Sequence, residues 1–193
     1  MDGAPHKLSA LIGSLARLAQ AEVRDRALAA DLQPVHIVAL AYLRDANRYS
    51  NTPMALAEFL GSTKGTVSQS LLLLYRKGLV ERHADPHDGR VLRLRLSPAG
   101  RRLLREADLE AQWSQAVAGL CAAEVAQTER TLQGLLRSLQ RRRGGRSFGV
   151  CSSCAHFQGH AGASGRCGLT GEALDRADAG RICREHLVAA PAA

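Results

Sequence analysis

The chain has 193 residues, which is room for one domain with a small appendage or for two small domains. Lys and Arg number 26 against 18 Asp and Glu, so the net charge is +8, and hydrophobic residues make up 46% of the chain although aromatic ones make up only 4%. This composition excludes collagen-like, mucin-like and wholly disordered proteins, and it predicts a core of aliphatic side chains.

No membrane-spanning or secretory segment is predicted. The longest stretch without charged or turn-forming residues, 35–43, is far shorter than the roughly 20 residues that a membrane span needs. Asp2, Lys7 and Arg17 interrupt the place where a signal peptide would carry its apolar region. We therefore expect a soluble, cytoplasmic protein that has no membrane partner.

The positive charge lies in the first part of the chain. From residue 147 to residue 193, four arginines balance four acidic residues, so the whole excess of +8 belongs to residues 1–146. A basic domain attracts polyanions, of which nucleic acid is the most common. A solvated basic surface without a partner would explain the charge equally well, so the partner has to be argued from the motifs.

Four helices are predicted first. Apolar residues recur at steps of three and four over 8–28, which is typical of an amphipathic helix. Pro34 suits the first turn of a second helix, and a polar stretch over 47–51 ends it. Two shorter helices follow, over residues 53–60 and 63–77. Gly61 is suited to the left-handed position that ends the first of this pair.

The periodicity then changes to that of a β-hairpin. Residues 91–96 alternate strictly, with three leucines on one face and two arginines on the other. Residues 79–83 are extended in character, and the segment between the two strands, 84–90, is dense in turn formers. We therefore predict two antiparallel strands with a protruding loop.

A long helical region completes the basic part of the chain. Ser97 is a suitable N-cap and Pro98 a suitable first helical residue. The helical pattern continues to about residue 143, with a predicted break near 121–124. The segment 144–150 is predicted to be a linker, because it begins with consecutive glycines between arginines.

A helix, a tight turn, a second helix and a hairpin together predict a winged helix-turn-helix. Ala57 is small where the two helices approach each other, Gly61 makes the turn and Val67 packs the second helix onto the first. The second helix would enter the major groove of DNA with its N-terminal part. An ordinary solvated helix is the alternative interpretation. The residues predicted to contact base edges or phosphates are Thr63, Lys64, Thr66, Ser68, Gln69 and Ser70.

The same segments resemble the MarR-type transcriptional regulators. The run Leu-Gly-Ser-Thr-Lys-Gly-Thr-Val-Ser-Gln-Ser-Leu over 60–71, with Arg-Lys-Gly-Leu-Val over 76–80, is similar to that family's recognition helix and following turn. Asp-Pro-His-Asp-Gly-Arg over 85–90, with Leu-Ser-Pro-Ala-Gly-Arg over 96–101, is similar to its wing. The resemblance covers about residues 5–143. It implies a homodimer, held together by the terminal helices, whose two winged domains bind a pseudo-palindromic operator in double-stranded DNA.

The wing itself supports a role in DNA binding. Arg90, at the end of the loop, can enter a narrow minor groove whose negative potential favours a guanidinium. Asp88 is placed to hold that side chain, and an ion pair that only stabilises the loop is the alternative for this pair. Arg76 is predicted to contact phosphates or to remain solvated.

A small-molecule effector is a further expectation from the resemblance, because many members of the family bind ligands between the dimer helices and the DNA-binding domain. His36, Tyr42 and Trp113 are the candidate contacts, although single residues of this kind are more often core or dimer contacts. Cys121 stands apart from the other cysteines in the sequence. We predict that it is a buried packing residue.

The last part of the chain departs from the MarR pattern. Cys151, Cys154, Cys167 and Cys183 have intervals of 2, 12 and 15 residues, which predict a four-thiolate metal centre in a reducing compartment. A single CxxC pair with two separated cysteines favours a [4Fe-4S]-type cluster, and the segment is faintly similar to high-potential iron–sulfur proteins. Zn²⁺ is the alternative. A mixed site could also use the histidines of this segment, His156, His160 and His186.

The fold class that follows is mainly α with a small β-hairpin wing: a winged helix-turn-helix, a helical dimerisation region and a short Cys-rich C-terminal module. The predicted boundaries are 1–34 for an N-terminal dimerisation helix, 35–97 for the DNA-binding domain, 98–143 for C-terminal dimerisation helices, 144–150 for a linker and 151–193 for the module.

The function predicted is that of a homodimeric, sequence-specific transcriptional regulator, with repression as the favoured sign, whose iron–sulfur centre senses redox state or iron. A change at the centre would alter the spacing of the two recognition helices. Two alternatives stay open: a MarR-type regulator with a structural zinc tail and a small-molecule inducer, or an electron-transfer module on a winged-helix scaffold. No hydrolytic or transferase motif is present in the sequence, so an enzyme is not expected.

Overall fold

The structure is a computed structural model that describes residues 3–86, 88–142, 147–159 and 164–188. The predicted segments 1–34 and 151–193 extend beyond these ranges at residues 1–2, 160–163 and 189–193. His160 lies outside the described residues, and so do residues 143–146, where the dimerisation helices were predicted to end and the linker to begin.

Eight helices lie within the described residues. Gln33 precedes α2, and its backbone N–H donates to Nδ1 of His36 at 3.1 Å, which fixes the first turn of that helix. The bounds of the eight helices are α1 Gly3–Ala29, α2 Pro34–Asp45, α3 Pro53–Leu60, α4 Lys64–Arg76, α5 Pro98–Ala107, α6 Ala111–Val117, α7 Ala122–Arg142 and α8 Arg176–Ala179.

The described strands form two small antiparallel sheets. In the first, β1 (Val80–Ala84) pairs with β2 (Leu92–Leu96), with Val80 opposite Leu96. The second has the order β3 (Phe157–Gly159), β4 (Gly165–Cys167) and β5 (Ala173–Leu174). A short 3-10 helix over Cys151–Ser153 precedes it.

The helix-turn-helix has the predicted geometry. Gly61 ends α3 in the left-handed region at φ 59°, and Thr63 caps α4 by accepting a hydrogen bond from the N–H of Thr66 at 3.2 Å. Ala57 and Val67 are both buried in the core between the two helices. The sequence features that predicted this motif therefore have the expected structural roles.

The hairpin joins the core through the first turn of α5. The Ser97 side chain accepts a hydrogen bond from the N–H of Gly100 at 3.0 Å and donates one to the carbonyl of Gly78 at 2.6 Å. Leu94 and Leu96 of β2 are buried, as the alternating pattern predicted. The start of α5 and the end of α4 are thus fixed against each other.

The long C-terminal helical region is more divided than expected. The predicted break near 121–124 is present, since α6 ends at Val117 and α7 begins at Ala122. A second break, which the sequence analysis did not predict, separates α5 from α6. There Asp108 adopts φ 39° and ψ 55°, a left-handed conformation that ends a helix and that Asp tolerates better than most residues do.

The C-terminal segment packs against the helix-turn-helix domain. Phe148 lies in the region predicted to be a linker, but its ring makes edge-on contacts with Tyr42 and Phe59, at centroid distances of 6.3 and 5.5 Å. Ile182 packs against the same core. None of the described helices is long and apolar enough to cross a membrane.

Candidate nucleic-acid interface and four-cysteine site

The N-terminal half of α4 presents a row of polar side chains to solvent. Lys64, Thr66, Ser68 and Gln69 are exposed, while Val67 between them is buried. The hydroxyl of Thr63 lies 2.9 Å from that of Thr66 and also caps the helix. Lys64, Ser68 and Gln69 are therefore the side chains of α4 that are best placed to contact another molecule.

Ser70 differs from its prediction as a DNA contact. It is only 9% exposed, and it lies three residues after Val67 and four before Leu74, both of which are buried. These spacings put Ser70 on the core-facing side of α4. A DNA molecule in contact with the exposed face of α4 would not reach it.

The wing contains the predicted pair of Asp88 and Arg90. Arg90 donates from Nε to Oδ1 of Asp88 at 3.0 Å and from Nη2 to Oδ2 at 3.2 Å, and its own backbone N–H also donates to Oδ1. These bonds lower the pKa of the Asp88 carboxyl. The Arg90 side chain is 91% exposed, so it is oriented by Asp88 and remains accessible.

The base of the wing is held by a second arginine. Arg93 Nε donates to Oδ2 of Asp85 at 2.6 Å, and both side chains are largely buried, at 19% and 10% exposure. Arg93 therefore stabilises the loop rather than facing solvent. Arg76, at the end of α4, is exposed, which agrees with its prediction as a phosphate contact or solvated charge.

One cleft lies between α4 and the wing. Lys64 and Ser68 from α4 line it on one side, and Arg90 and Leu92 line it on the other. Arg184, from the C-terminal segment, lines the same cleft. Three cationic side chains from distant parts of the sequence therefore surround one groove.

The candidate effector residues have different surroundings in the structure. His36 and Tyr42 are buried: His36 caps α2, and the hydroxyl of Tyr42 donates to the carbonyl of Ser50 at 2.8 Å. Trp113 lies on α6 and is 38% exposed. Cys121 is exposed, so the prediction that it is a buried packing residue was wrong. It lies at the junction between α6 and α7.

The structure brings the four C-terminal cysteines to one place. Cys151, Cys154, Cys167 and Cys183 line a single small pocket, whose other walls include Phe157 and Leu174. Cys151 and Cys183 are buried, at 6% and 9% exposure. The pocket is therefore a mainly apolar, sulfur-lined cavity.

The sulfur atoms receive hydrogen bonds from amide groups. Nδ2 of Asn47 donates to Sγ of Cys151 at 3.5 Å, and the N–H of Leu187 donates to Sγ of Cys154 at 3.4 Å. The pKa of the Cys183 thiol is lowered because Cys151, Asn47 and the backbone N–H of Glu185 hydrogen-bond to its sulfur. The Cys151 thiol has a raised pKa, first because of its bond to Cys183 and then because of its burial. The site favours a thiolate at Cys183.

Two histidines of the segment have different environments. His156 lines the sulfur pocket. His186 is buried, and its two ring nitrogens are hydrogen-bonded with the hydroxyls of Ser147 and Ser153. Within the described ranges, no group of three or more His, Cys, Asp or Glu side chains is arranged to hold a metal ion. The metal centre therefore stays a prediction.

The sequence analysis missed the segment that connects the two sites. This segment, residues 46–52, is called the α2–α3 loop below, and only its residues 47–51 had been described, as a polar stretch. Asn47 and Ser50 are buried, at 2% and 0% exposure. The available signal was five consecutive residues with polar side chains or polar tips and no Gly or Pro, between two apolar helices. Such a run can be a polar cluster inside the fold as well as a solvated turn.

Comparison with known structures identifies the fold. A mutant of MepR from a multidrug-resistant S. aureus clinical isolate is 26% identical, with a TM-score of 0.60 over 69% of this chain and 97% of its own. Wild-type MarR from E. coli is 25% identical, with a TM-score of 0.52 over 67% of this chain and 96% of its own. The S. aureus MepR–DNA complex is 24% identical, with a TM-score of 0.55 over 67% and 96% of the two chains. The match therefore covers nearly the whole length of each of these proteins, but it leaves roughly a third of this chain uncovered.

The comparison of sequences gives the same classification. No curated protein matches the chain. The model of the MarR family matches residues 30–91, which run from the end of α1 to the wing. That family and the matching structures are transcription regulators rather than enzymes, in agreement with the sequence analysis. The described fold is therefore a winged helix-turn-helix, and its residues 30–91 are similar to the MarR family.

Proposed function

We propose that the protein is a homodimeric, sequence-specific DNA-binding transcriptional regulator, and specifically a repressor, with a four-cysteine iron–sulfur centre. The observation that carries DNA binding is the cleft in which Lys64 and Ser68 of the recognition helix meet Arg90 of the wing. The net charge of +8 favours a polyanionic partner for that cleft. MepR, a structural relative, has been crystallised with DNA.

A second copy of the chain is the proposed occupant of the exposed apolar faces of the terminal helices. Leu11 and Leu18 of α1 are 64% and 62% exposed, and Leu136 and Leu139 of α7 are 55% and 57% exposed. Rows of exposed leucines at helical spacing are unfavourable in water and are typical of an interface. Two copies would place two recognition helices on successive half-sites of a pseudo-palindrome.

DNA binding is tested by selecting sites from random duplexes with the full-length protein and measuring affinity for the selected site at several salt concentrations. We expect a pseudo-palindromic site, two chains per duplex and an affinity that falls steeply with salt. The mass of the protein in solution is measured by light scattering, with Leu18→Asp and Leu136→Asp as interface variants. No enrichment of any sequence, or a monomer that binds its site as one chain, would contradict this proposal.

The cysteine pocket is proposed to hold a [4Fe-4S]-type cluster. Four thiols line one pocket, its walls are apolar, and amide groups already donate hydrogen bonds to the sulfurs. These are the surroundings in which such clusters are held by proteins. When bound, the cluster would supply a centre that responds to oxidants and to iron supply. Its ligands would be Cys151, Cys154, Cys167 and Cys183.

Zn²⁺ is the competing occupant of the same four thiols. A tetrahedral zinc site needs four sulfurs within about 4 Å of one another, since Zn–S bonds are about 2.3 Å. A cubane has its four irons at separate corners and accepts more widely spaced ligands. A single CxxC pair followed by two separated cysteines is the spacing that favours the cluster over zinc.

The occupant is identified by anaerobic purification, a visible absorption spectrum, and counts of iron, acid-labile sulfide and zinc per chain. Brown protein with about four irons and four sulfides per chain would support the cluster. One zinc per chain in colourless protein would replace it with a structural zinc tail, and a small-molecule inducer would then be the expected signal. A cluster in a protein without operator affinity would favour the electron-transfer alternative.

A further inference from the structure

The four-cysteine site and the wing contact opposite ends of the same loop. The α2–α3 loop lies between α2 and α3, so it precedes the first helix of the helix-turn-helix motif. Its backbone and side chains bind the C-terminal segment at one end and β2 at the other. This arrangement provides a direct connection within one chain between the sulfur pocket and the predicted DNA contacts.

The contacts on the cysteine side are both main-chain and side-chain bonds. The N–H of Asn47 donates to the carbonyl of Ile182 at 2.9 Å, and the N–H of Ile182 donates to the carbonyl of Asp45 at 2.8 Å. Ile182 immediately precedes Cys183. Nδ2 of Asn47 reaches Sγ of Cys151. A change in the position of either cysteine therefore acts on Asn47.

The contacts on the wing side involve the last part of the loop. The carbonyl of Asn51 accepts a hydrogen bond from the N–H of Leu94 at 2.7 Å. Its side-chain oxygen accepts a bond from Nη1 of Arg93 at 3.3 Å. Arg93 in turn binds Asp85 at the beginning of the wing loop. The loop thus holds the strand and the ion pair that position the wing.

The loop between these ends is rigid because its polar groups are bonded to one another. Oδ1 of Asn47 accepts hydrogen bonds from the N–H groups of Tyr49 and Ser50, at 3.1 and 3.0 Å. The hydroxyl of Ser50 accepts one from the N–H of Arg184 at 2.8 Å. Since Asn47 and Ser50 are buried, water cannot replace these partners without opening the loop.

We propose that Asn47 and the α2–α3 loop transmit the state of the four-cysteine site to the wing of the same chain. The inference rests on the proposed function, in which the site is filled and the wing binds DNA. With the site filled, Asn47 is held and the wing keeps its DNA-binding position. Emptying the site releases Asn47, loosens the contact between Asn51 and Leu94, and weakens operator binding.

The experiment compares Asn47→Asp with a matched control, Arg48→Ala. Aspartate keeps the oxygens that accept from Tyr49 and Ser50 but cannot donate to Cys151. Arg48 also binds the C-terminal segment, through the carbonyl of Ala173 and the carboxylate of Glu172, but its ion pair is about half exposed. A loss that follows merely from weaker docking would appear in both variants.

Two readouts are used on full-length protein with the site filled and after treatment with a chelator. They are the operator affinity and the rate of hydrogen exchange at the N–H of Leu94. In the wild-type protein and in Arg48→Ala, emptying the site should weaken binding at least about tenfold and accelerate exchange at Leu94. In Asn47→Asp with the site filled, hydrogen exchange at Leu94 should already be fast. The ratio of the operator affinity with the site filled to that with the site emptied should be close to one.

A second variant protects the test against misfolding of the first. Asn51→Ala removes the bond to Arg93 and leaves every contact of the cysteines in place. It should retain the filled site, with wild-type iron and sulfide contents, and show a smaller ratio of affinities. Wild-type ratios in both Asn47→Asp and Asn51→Ala would overturn the proposal.

The proposed function can fail separately from this inference. If the protein binds neither iron nor zinc, the cluster proposal fails. The inference is then tested by changing the pocket itself with Cys154→Ser. Cys154 accepts its hydrogen bond from Leu187 rather than from Asn47. Unchanged exchange at Leu94 in that variant would overturn the inference. If the filled protein has no operator, DNA binding fails, while exchange at Leu94 still reports whether the pocket and the wing are connected.

Discussion

Arg184 binds both carboxylate oxygens of Glu58, which is 126 residues away in the sequence. Nε and Nη2 of the guanidinium donate to Oε2 and Oε1, each at 2.7 Å. The side chains are 25% and 32% exposed, so the pair is partly shielded from water. Because Glu58 lies on α3 and Arg184 follows Cys183, this contact fixes the cysteine segment on the first helix of the helix-turn-helix motif.

The contribution of this pair is measured by a double-mutant cycle of Arg184→Ala and Glu58→Ala. We expect an interaction free energy of about 1 kcal/mol, at the upper end for exposed ion pairs because of the two-bond geometry and partial burial. The free energies of unfolding are obtained by denaturant titration. An interaction energy indistinguishable from zero would show that the cysteine segment is held by its other contacts.

Arg90→Ala should weaken operator binding without destabilising the protein. The side chain is 91% exposed and contacts Asp88 within the loop, so its removal leaves no buried group unsatisfied. We expect a loss of about tenfold or more in affinity and a shallower dependence on salt, by roughly one counterion for each of the two chains. The measurement is a titration of labelled operator at three salt concentrations.

Arg105→Ala is the matched control for the Arg90 variant. Arg105 is exposed on α5 and carries the same charge, but it does not line the cleft between α4 and the wing. Its removal should change the affinity much less. Equal losses in the two variants would mean that only the total charge of the domain matters, and the assignment of Arg90 to the minor groove would then be wrong.

Gln69 and Ser70 are neighbours with opposite exposure, and they should differ in their effect on sequence recognition. Gln69→Ala removes an exposed side chain that can bind adenine through two hydrogen bonds, so the binding free energy should weaken by about 1–3 kcal/mol for each half-site. Ser70→Ala removes a hydroxyl on the core side of α4 and should leave affinity within about twofold. A larger loss for Ser70→Ala, with an unchanged melting temperature, would contradict the orientation of α4.

The helix-turn-helix could be predicted from the sequence because its determinants are local. Gly61 and the cap at Thr63 act within a few residues of their position, and the alternation of β2 is legible in six consecutive residues. The burial of Ser70 could have been predicted as well. Its spacing from Val67 and Leu74 already gives the buried face of the helix.

The docking of the cysteine segment could not be predicted in the same way. Asn47 and Cys151 are 104 residues apart, and their contact follows from how Phe148 and Ile182 pack on the helical core. No periodicity or motif encodes a contact of that length. The spacing of the cysteines predicted that they would meet one another, but the α2–α3 loop as their neighbour follows only from the tertiary structure.

Acidification should destabilise the winged domain through His36. Burial, followed by the nearby charge of Lys77, lowers the pKa of His36 below its ordinary value of 6.5. The unfolded chain therefore binds a proton more readily, and stability is lost as the pH falls below about 6.5. Unfolding free energies at pH 7.5 and pH 5.5 should differ less in His36→Gln than in the wild-type protein. His186→Gln should also reduce the difference between the two unfolding free energies, because burial lowers the pKa of His186 as well.

Gly100→Ala should destabilise the winged domain, although alanine is normally the better residue in a helix. The N–H of Gly100 binds the Ser97 side chain in the first turn of α5, and a Cβ at this position would overlap the carbonyl oxygen of Leu79. That oxygen also accepts the N–H of Ser97, so it cannot move away without breaking the junction between the hairpin and α5. We expect a loss of about 2 kcal/mol in a denaturant titration. Gly119→Ala, with open space around its Cβ, is the matched control, and an equal change in both would show that the close contact at Gly100 is not what stabilises the junction.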